Sequence, residues 1–477
     1  MNNRAMGLGK RACLWQILVS LLGLSLCSAV ALPQVARDDG PAPSGTVLLS
    51  LEESEALVLE DNLLVLRAEE GVVGARAAVK QAKASILPHL NVSAMGSRLG
   101  PVATFTIPTA TGSEQITVGT PSQKNLTLSL SQPVYAPGPM KVAPQAARIA
   151  MGLTESALAG TRDEVLLQVR KAFFNCLRAK ELLTVAEQRQ QQALAYLKDA
   201  QAYFQAGTTA RADVLRAQVE VANAEHVVLQ SQNSLDLAYL ALKNLLNISQ
   251  ETTLQLQIPA VPKLEDVSLA QSLETAKTVR PELKVADFQV DLARAKESLA
   301  AAATKPQVFL SGNRQWQTST AFSAGTSWSL TLSASMPIFD AGEARAGLAR
   351  AHSDTRQSDT DRRTLQQSVD AQVRAAFFSL EASRKQIEVA LVAKEQAQEA
   401  LRITQLQYGE GMARPVEVID AQVALAQAAS NYVNSVYDYE TAKAELARAV
   451  GVRSVDELAT ASPPALVPEQ PTPQIKE

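Results

Sequence analysis

The sequence predicts an α+β membrane protein, internally duplicated, in which long coiled-coil helices join strands that close a β-barrel only together with other copies of the chain. Three observations carry this prediction. The chain repeats itself at one fixed spacing; its helices share an alanine-rich seam of alternating three- and four-residue steps; and four strand-like runs alternate apolar with small polar residues.

The N-terminus sets the compartment. Arg4, Lys10 and Arg11 precede an apolar run from Leu14 to Leu26 that is short for a membrane span, and Ala29-Val30-Ala31 fits a small-x-small cleavage site. Residues 1–31 therefore read as a secretory signal peptide. A lipid anchor at Cys27 is disfavoured because Leu26 stands where a small residue is expected. Cleavage would remove Cys13 and Cys27 and leave Cys176, so no intrachain disulfide framework is expected. Loss of the three cations moves the formal charge from −3 to −6, which argues against a nucleic-acid partner. Residues 32–50 read as a linker. Residues 459–477, with Pro463, Pro464, Pro468, Pro471 and Pro473, read as a disordered tail. No later run reaches the ~18 consecutive apolar residues of a membrane helix, so any crossing must use strands.

Between these ends the chain is written twice, over 51–260 and 261–458. Val169-Arg170-Lys171-Ala172-Phe173-Phe174 returns 204 positions later as Val373-Arg374-Ala375-Ala376-Phe377-Phe378. The same offset relates Gly207 to Gly411, Asp213-Val214 to Glu417-Val418, and Leu126, Leu128, Pro133 and Gly138 to Leu330, Leu332, Pro337 and Gly342. Pro88 pairs with Pro306 at an offset of 218, so the first copy carries 14 extra residues, expected to form a longer polar loop between two strands.

Each copy then predicts the same elements in order. The first has a helix over 52–87, strands over 90–98 and 124–132, a long helix over 140–206 and a helix over 211–247. The second has a helix over 268–304, strands over 308–316 and 327–335, a long helix over 343–409 and a helix over 414–450. The strands follow from alternation: Leu126, Leu128 and Leu130 interleave with Thr127, Ser129 and Ser131, and Trp328, Leu330 and Leu332 with Ser329, Thr331 and Ser333. The long helices follow from the seam Val165, Val169, Ala172, Cys176, Ala179, Leu183, Ala186, Gln190, Ala193, Leu197, Ala200, Phe204, repeated from Val369 to Tyr408. In each copy the two shorter helices have the combined length to stack end to end beside the long one, roughly 100 Å at ~1.5 Å per residue. Phe173-Phe174 and Phe377-Phe378 are expected to pack where they stack. Trp316 and Trp328 suit an aromatic belt at a membrane surface, or plain strand packing.

A sheet edge in hydrocarbon leaves backbone groups unpaired, so membrane strands must close into a barrel. Four strands cannot close alone. Three copies would supply twelve, whereas two would supply eight, a barrel nearly filled by its own side chains.

The duplicated plan resembles the TolC family of outer-membrane efflux proteins from about Leu51 to Leu458. The residues that carry the resemblance are Phe204, Gly207 and Asp213, then Tyr408, Gly411 and Glu417, and the turns Gln132-Pro133-Val134-Tyr135 and Met336-Pro337-Ile338-Phe339. It implies a homotrimer with a twelve-stranded barrel in outer-membrane lipid and a helical tunnel across the periplasm. It further implies a passive exit duct for small molecules in a tripartite pump, docked to a periplasmic adaptor and an inner-membrane transporter, with no cofactor. Pro137-Gly138-Pro139 is stiffer than the family pattern and leaves the start of the first long helix open by several residues. An outer-membrane duct for type I protein secretion is the alternative within this class, and a periplasmic coiled-coil scaffold or adaptor the alternative outside it.

Candidate functional residues cluster at the turns after the long helices. Gly207 and Gly411 read as left-handed helix ends; the resemblance implies that these turns, with Thr208 and Met412, meet the adaptor. Glu417 and Asp420 lie three residues apart on one helix face. Pro415 and Glu417 also suit a plain helix start, while the resemblance places both acids around a periplasmic gate, where three copies would favour cations. The first copy has Asp213 and Arg216 instead, and Arg414 is the expected partner of Asp213 in a link between hairpins. His89, His226 and His352 have no metal-ligand spacing, and no catalytic constellation is legible, so an enzyme is not expected.

Overall fold

The computed structural model describes residues 46–98, 100–101, 103–118, 121–258, 267–318 and 325–455; the signal peptide, most of the linker and the proline-rich tail lie outside the described residues. The end of the linker is a strand, β1 (Thr46–Leu49), which pairs in parallel with β6 (Thr253–Leu256).

The first copy contains α1 (Leu51–Asp61), α2 (Leu63–Ala84), β2 (His89–Arg98), β5 (Ser122–Tyr135), α3 (Ala143–Gln205) and α4 (Arg211–Leu245), with a hairpin of β3 (Ala103–Thr109) and β4 (Gly112–Val118) inserted between β2 and β5. The second contains α5 (Leu269–Val279), α6 (Pro281–Ala302), β7 (Gln307–Gln317), β8 (Thr326–Ser335), α7 (Glu343–Gly409) and α8 (Pro415–Val450).

Three expectations are corrected. The single helices over 52–87 and 268–304 are each two. Asn62 and Arg280, equivalent at the 218 offset, both take extended backbone and break the helix. Each then satisfies an end carbonyl of the neighbouring helix, which has no partner of its own there. Asn62 Nδ2 donates to the Leu245 carbonyl at 2.9 Å, and Arg280 Nη1 donates to that of Ala449, 204 positions on, at 3.1 Å. Pro281 adds a steric reason in the second copy, since a residue before proline is pushed out of helical backbone. The 14-residue insertion is the β3–β4 hairpin rather than a loop, because Thr104-Phe105-Thr106-Ile107 alternates as a strand and Phe105 pairs with Ile116. The first long helix begins at Ala143, not 140: a wide π-helical turn over Gly138–Val142 absorbs Pro139, which has no N–H to offer.

The four barrel strands form one antiparallel sheet in the order β2-β5-β7-β8. Its register places Val92 beside Leu128, Leu130 beside Gly312, and Leu310 beside Leu332, so one face is apolar and the other carries Asn91, Thr127, Ser129, Asn313 and Thr331. The apolar face is exposed in the protomer: Leu90, Leu330 and Trp328 are 65, 64 and 78% accessible.

The helices stack beside the long ones as expected, but the two copies are packed differently. Helix α3 has neighbours on both sides, α2 and α4 on one and α6 and α8 on the other, whereas α7, apart from Tyr408 at its end, is covered mainly by α5, α6 and α8. Phe173 and Phe174 are accordingly buried, while Phe378 is 57% exposed, contrary to the expectation that both pairs pack alike. The join between copies, α3 on α8, is polar: Lys171–Glu445, Arg178–Asp438 and Arg448–Glu164 pair across it, and the Tyr437 hydroxyl donates to Glu181 at 2.6 Å. Arg448 also reaches Glu282, which Arg280 contacts from within the second copy. Burial alone would raise the Glu282 carboxyl, but its own backbone N–H and the two guanidiniums prevail and hold it low. Cys176, a buried residue of α3, is pushed up to about 12 by burial and is not a reactive thiol.

Candidate functional site

The sites marked by the sequence converge at the end of the helices remote from the sheet, where α3–α4 and α7–α8 make two tight hairpins. Both long helices end in the same hydrogen-bonded pattern. The Thr208 N–H donates to the Tyr203 carbonyl at 3.0 Å and the Gly207 N–H to Phe204 at 3.0 Å; Met412 to Gln407 and Gly411 to Tyr408 repeat it at 2.8 and 3.0 Å. This is the Schellman closure, and it needs positive φ at its turn residue, 77° at Gly207 and 75° at Gly411. Thr208 is exposed and Met412 is 70% accessible, so both turn tips stand free in the protomer.

Beyond the turns the hairpins diverge. In the first, Thr209 Oγ1 donates to Asp213 at 3.0 Å, and Arg216 lies 3.6 Å from the same carboxylate. In the second, Glu417 accepts from the Arg414 N–H at 3.1 Å and closes the start of α8. No Asp213–Arg414 pair forms within the protomer among the described residues: the Asp213 carboxylate is engaged inside its own hairpin, and Arg414 there offers its backbone N–H to Glu417. Glu417 and Asp420 lie exposed on one face of α8, continued by Val423 and Ala424.

What joins the hairpins is a tyrosine cluster of which only Tyr408 was singled out in the sequence. The rings of Tyr196 and Tyr203 both lie 5.6 Å from that of Tyr408, and the Tyr196 hydroxyl donates to the Pro415 carbonyl at 3.2 Å. Burial raises the Tyr196 and Tyr408 hydroxyls above the ordinary phenol range, Tyr196 further so through Tyr408 itself. Ala200, Ala217 and Val418 complete the packing beneath the rings. Deeper, Gln422 donates to the Gln192 carbonyl at 3.4 Å. The signal was present but ambiguous: Tyr408 is the seam counterpart of Phe204, and nothing in the alternation shows that one turns inward and the other, 44% exposed, outward. Arg189 donates through Nε and Nη2 to one oxygen of the buried Glu220, at 3.1 and 2.6 Å, and this pair stiffens only the first hairpin, since Ala393 and Ala424 take their places in the second.

Among the described residues no group of His, Cys, Asp or Glu is arranged to hold a metal ion, and no helix is long and apolar enough to cross a membrane. The arrangement offers instead two helical tips, an acidic face at the start of α8, and a sheet with one apolar side.

Comparison with known proteins agrees with this description. The family of outer membrane efflux proteins matches residues 56–247 and 273–452, one segment in each copy. The outer membrane protein TolC of Vibrio cholerae is 25% identical over 309 residues, 63% of this chain and 70% of that protein. In fold the chain is similar to the CmeC outer membrane channel of Campylobacter jejuni, with a TM-score of 0.72 at 17% identity over 84% of this chain and 85% of that one. It is likewise similar to the outer membrane protein VceC of Vibrio cholerae, with a TM-score of 0.71 at 18% identity over 84% and 96%.

Proposed function

Because this chain belongs to the outer membrane efflux protein family, we propose that it is the exit duct of a tripartite efflux pump, a homotrimer that passes small molecules through its helices and barrel. The family is one of transport proteins and not of enzymes, and its place is the outer membrane. The observation that carries the finer reading is the open sheet. Strands β2 and β8 are its unpaired edges, and its apolar face is exposed. Such a sheet is stable in lipid only when each edge meets another copy.

The helices support the same assembly. Helix α4 displays Leu215, Val219, Leu229 and Leu240, and α7 displays Phe378, Val389, Val392, Ile403 and Leu406, all exposed and spaced as coiled-coil seams. These are different surfaces at opposite edges of the protomer, so they join head to tail and close as a ring. Three copies bring twelve strands, wide enough for a lumen. Export by the 1–31 signal peptide belongs to this reading.

The pump supplies the remaining partners: a periplasmic adaptor on the exposed turns at Gly207, Thr208, Gly411 and Met412, and an inner-membrane transporter behind it. Glu417 and Asp420, repeated threefold, form stacked carboxylate rings at the periplasmic gate, and passive conduction is cation-selective there. Single-channel conductance of the reconstituted trimer tests this. Glu417→Ala with Asp420→Ala should reduce cation selectivity and relieve block by multivalent cations; unchanged selectivity and unchanged block would remove both residues from the gate.

A further inference from the structure

The four barrel strands hold three charged side chains besides His89, all cationic: Arg98 on β2, Lys124 on β5 and Arg314 on β7. None of these strands contains Asp or Glu. The register puts all three cations on one side, and it is the apolar one. Arg314 pairs with Leu128 and with Trp328; Lys124 pairs with Gly96, two residues beyond the Ala94–Leu126 pair; and Arg98 pairs with Ser122. The opposite, polar face carries no cation. A strand that simply needed solubility would place charge on the wet side, so this distribution is inverted.

The three cations also share one end of the sheet. All lie toward the β7–β8 connection, away from the helices, and Arg98 and Lys124 lie beyond the level of Arg314, Lys124 by four residues or about 13 Å along the strand. They stand with the protein's two barrel tryptophans. The Arg314 guanidinium lies over the Trp316 ring at 5.2 Å from its centroid, and Trp328 is directly across the ladder. Tryptophan favours the headgroup level, and a cation on a lipid-facing strand is tolerated only near that level, where its long side chain reaches the interface.

We propose that this face binds the phosphate groups of outer-leaflet glycolipid, Arg314 lying deepest against the tryptophans and Lys124 and Arg98 above it. Since the helices occupy the periplasm, the sheet end remote from them faces the outer leaflet. A band of three cations beside two tryptophans is complementary to a phosphate-bearing headgroup and not to a zwitterionic one. Three copies would make a belt of nine cations around the barrel.

The protein carries its own probe. Its three tryptophans are Trp15, in the segment expected to be removed, and Trp316 and Trp328, both in the patch. Diphosphorylated lipid A titrated into the detergent-solubilised trimer should shift tryptophan emission saturably, with dephosphorylated lipid A at least about tenfold weaker. Arg314→Gln, Lys124→Gln and Arg98→Gln should each weaken the response about fivefold, and Arg314→Lys should retain most of it. Equal responses to both lipids, no change in the three glutamine variants, or the same shift with inorganic phosphate would overturn the proposal. If Arg314→Gln lost the heat-sensitive trimer, the two cations farther from the tryptophans decide the matter. The proposal rests on the barrel lying in the outer membrane, not on the gate: altered conductance with lipid binding intact would count against the duct reading alone.

Discussion

The two copies differ most in what covers their long helices. Helix α3 buries Val165, Val169, Phe173, Phe174, Leu177 and Tyr196 between neighbours on both sides; the same register in α7 buries Val369, Val373 and Leu380 but leaves Phe378, Val389 and Leu406 in the open. Duplication preserved the seam and not the environment. A tandem pair laid side by side has one inner long helix and one outer one, so the inner face must be filled by the protomer and the outer by another copy. The charged pairs follow the same division, with Arg189–Glu220 bracing only the inner hairpin.

That comparison breaks first at Phe174. Phe174→Ala should cost about 3–5 kcal/mol of protomer stability in urea unfolding followed by circular dichroism, and Phe378→Ala, at the equivalent position, almost nothing in the same measurement. Equal losses would mean that the two environments are alike. Next comes Glu220→Ala, expected to cost about 3 kcal/mol by stranding Arg189 in a half-buried site, with Ala424→Glu giving no matching gain because Ala393 offers no partner. Val392→Ala sharpens the other side. It should leave monomer unfolding unchanged yet weaken the trimer by about 1–2 kcal/mol per subunit, read as a lower temperature for loss of the heat-sensitive band.

The smallest effect concerns the strand-to-helix turns. Asp340 accepts from the Ala344 and Gly342 N–H groups at 2.8 and 3.0 Å, while the equivalent position in the first copy is Ala136. Those two donors hold the Asp340 carboxyl below the usual carboxylate range. A folded value below the unfolded one contributes stability above the unfolded value and loses it as pH falls through the folded one. Asp340→Asn should therefore lower stability at neutral pH and flatten the decline below about pH 4; an unchanged pH profile would show that the cap contributes nothing.

Much of this was legible beforehand for a physical reason: periodicity is local. The offset from Val169 to Val373, the alternation around Leu128 and Leu330, and the glycines at 207 and 411 can each be read within a few residues. The break at Asn62 could not, and at Arg280 the one local signal is Pro281. What Arg280 does at that break is not local either, since the Ala449 carbonyl that it satisfies lies 169 positions away. The expected link between hairpins is missing within the protomer for a related reason. Opposite charge at Asp213 and Arg414 suggested a partner, but Thr209 and Arg216 lie within four residues of Asp213 and engage its carboxylate at lower entropic cost. Of the tyrosines that do the joining, only Tyr408 lies on the seam; Tyr196 and Tyr203 each stand one place before a seam position.

By itself, then, the sequence determined the repeat, the order of the barrel strands and long helices, the faces of the strands, and the need for more than one copy, because each follows from spacing or from backbone groups that lipid cannot satisfy. Only the tertiary structure decided which of two near-identical helices lies inside, that Tyr408 and not Phe204 turns inward, and that Arg98, Lys124 and Arg314 share one side and one end of the sheet. Those outcomes depend on register and on neighbours far along the chain, and neither is written in any local run of residues.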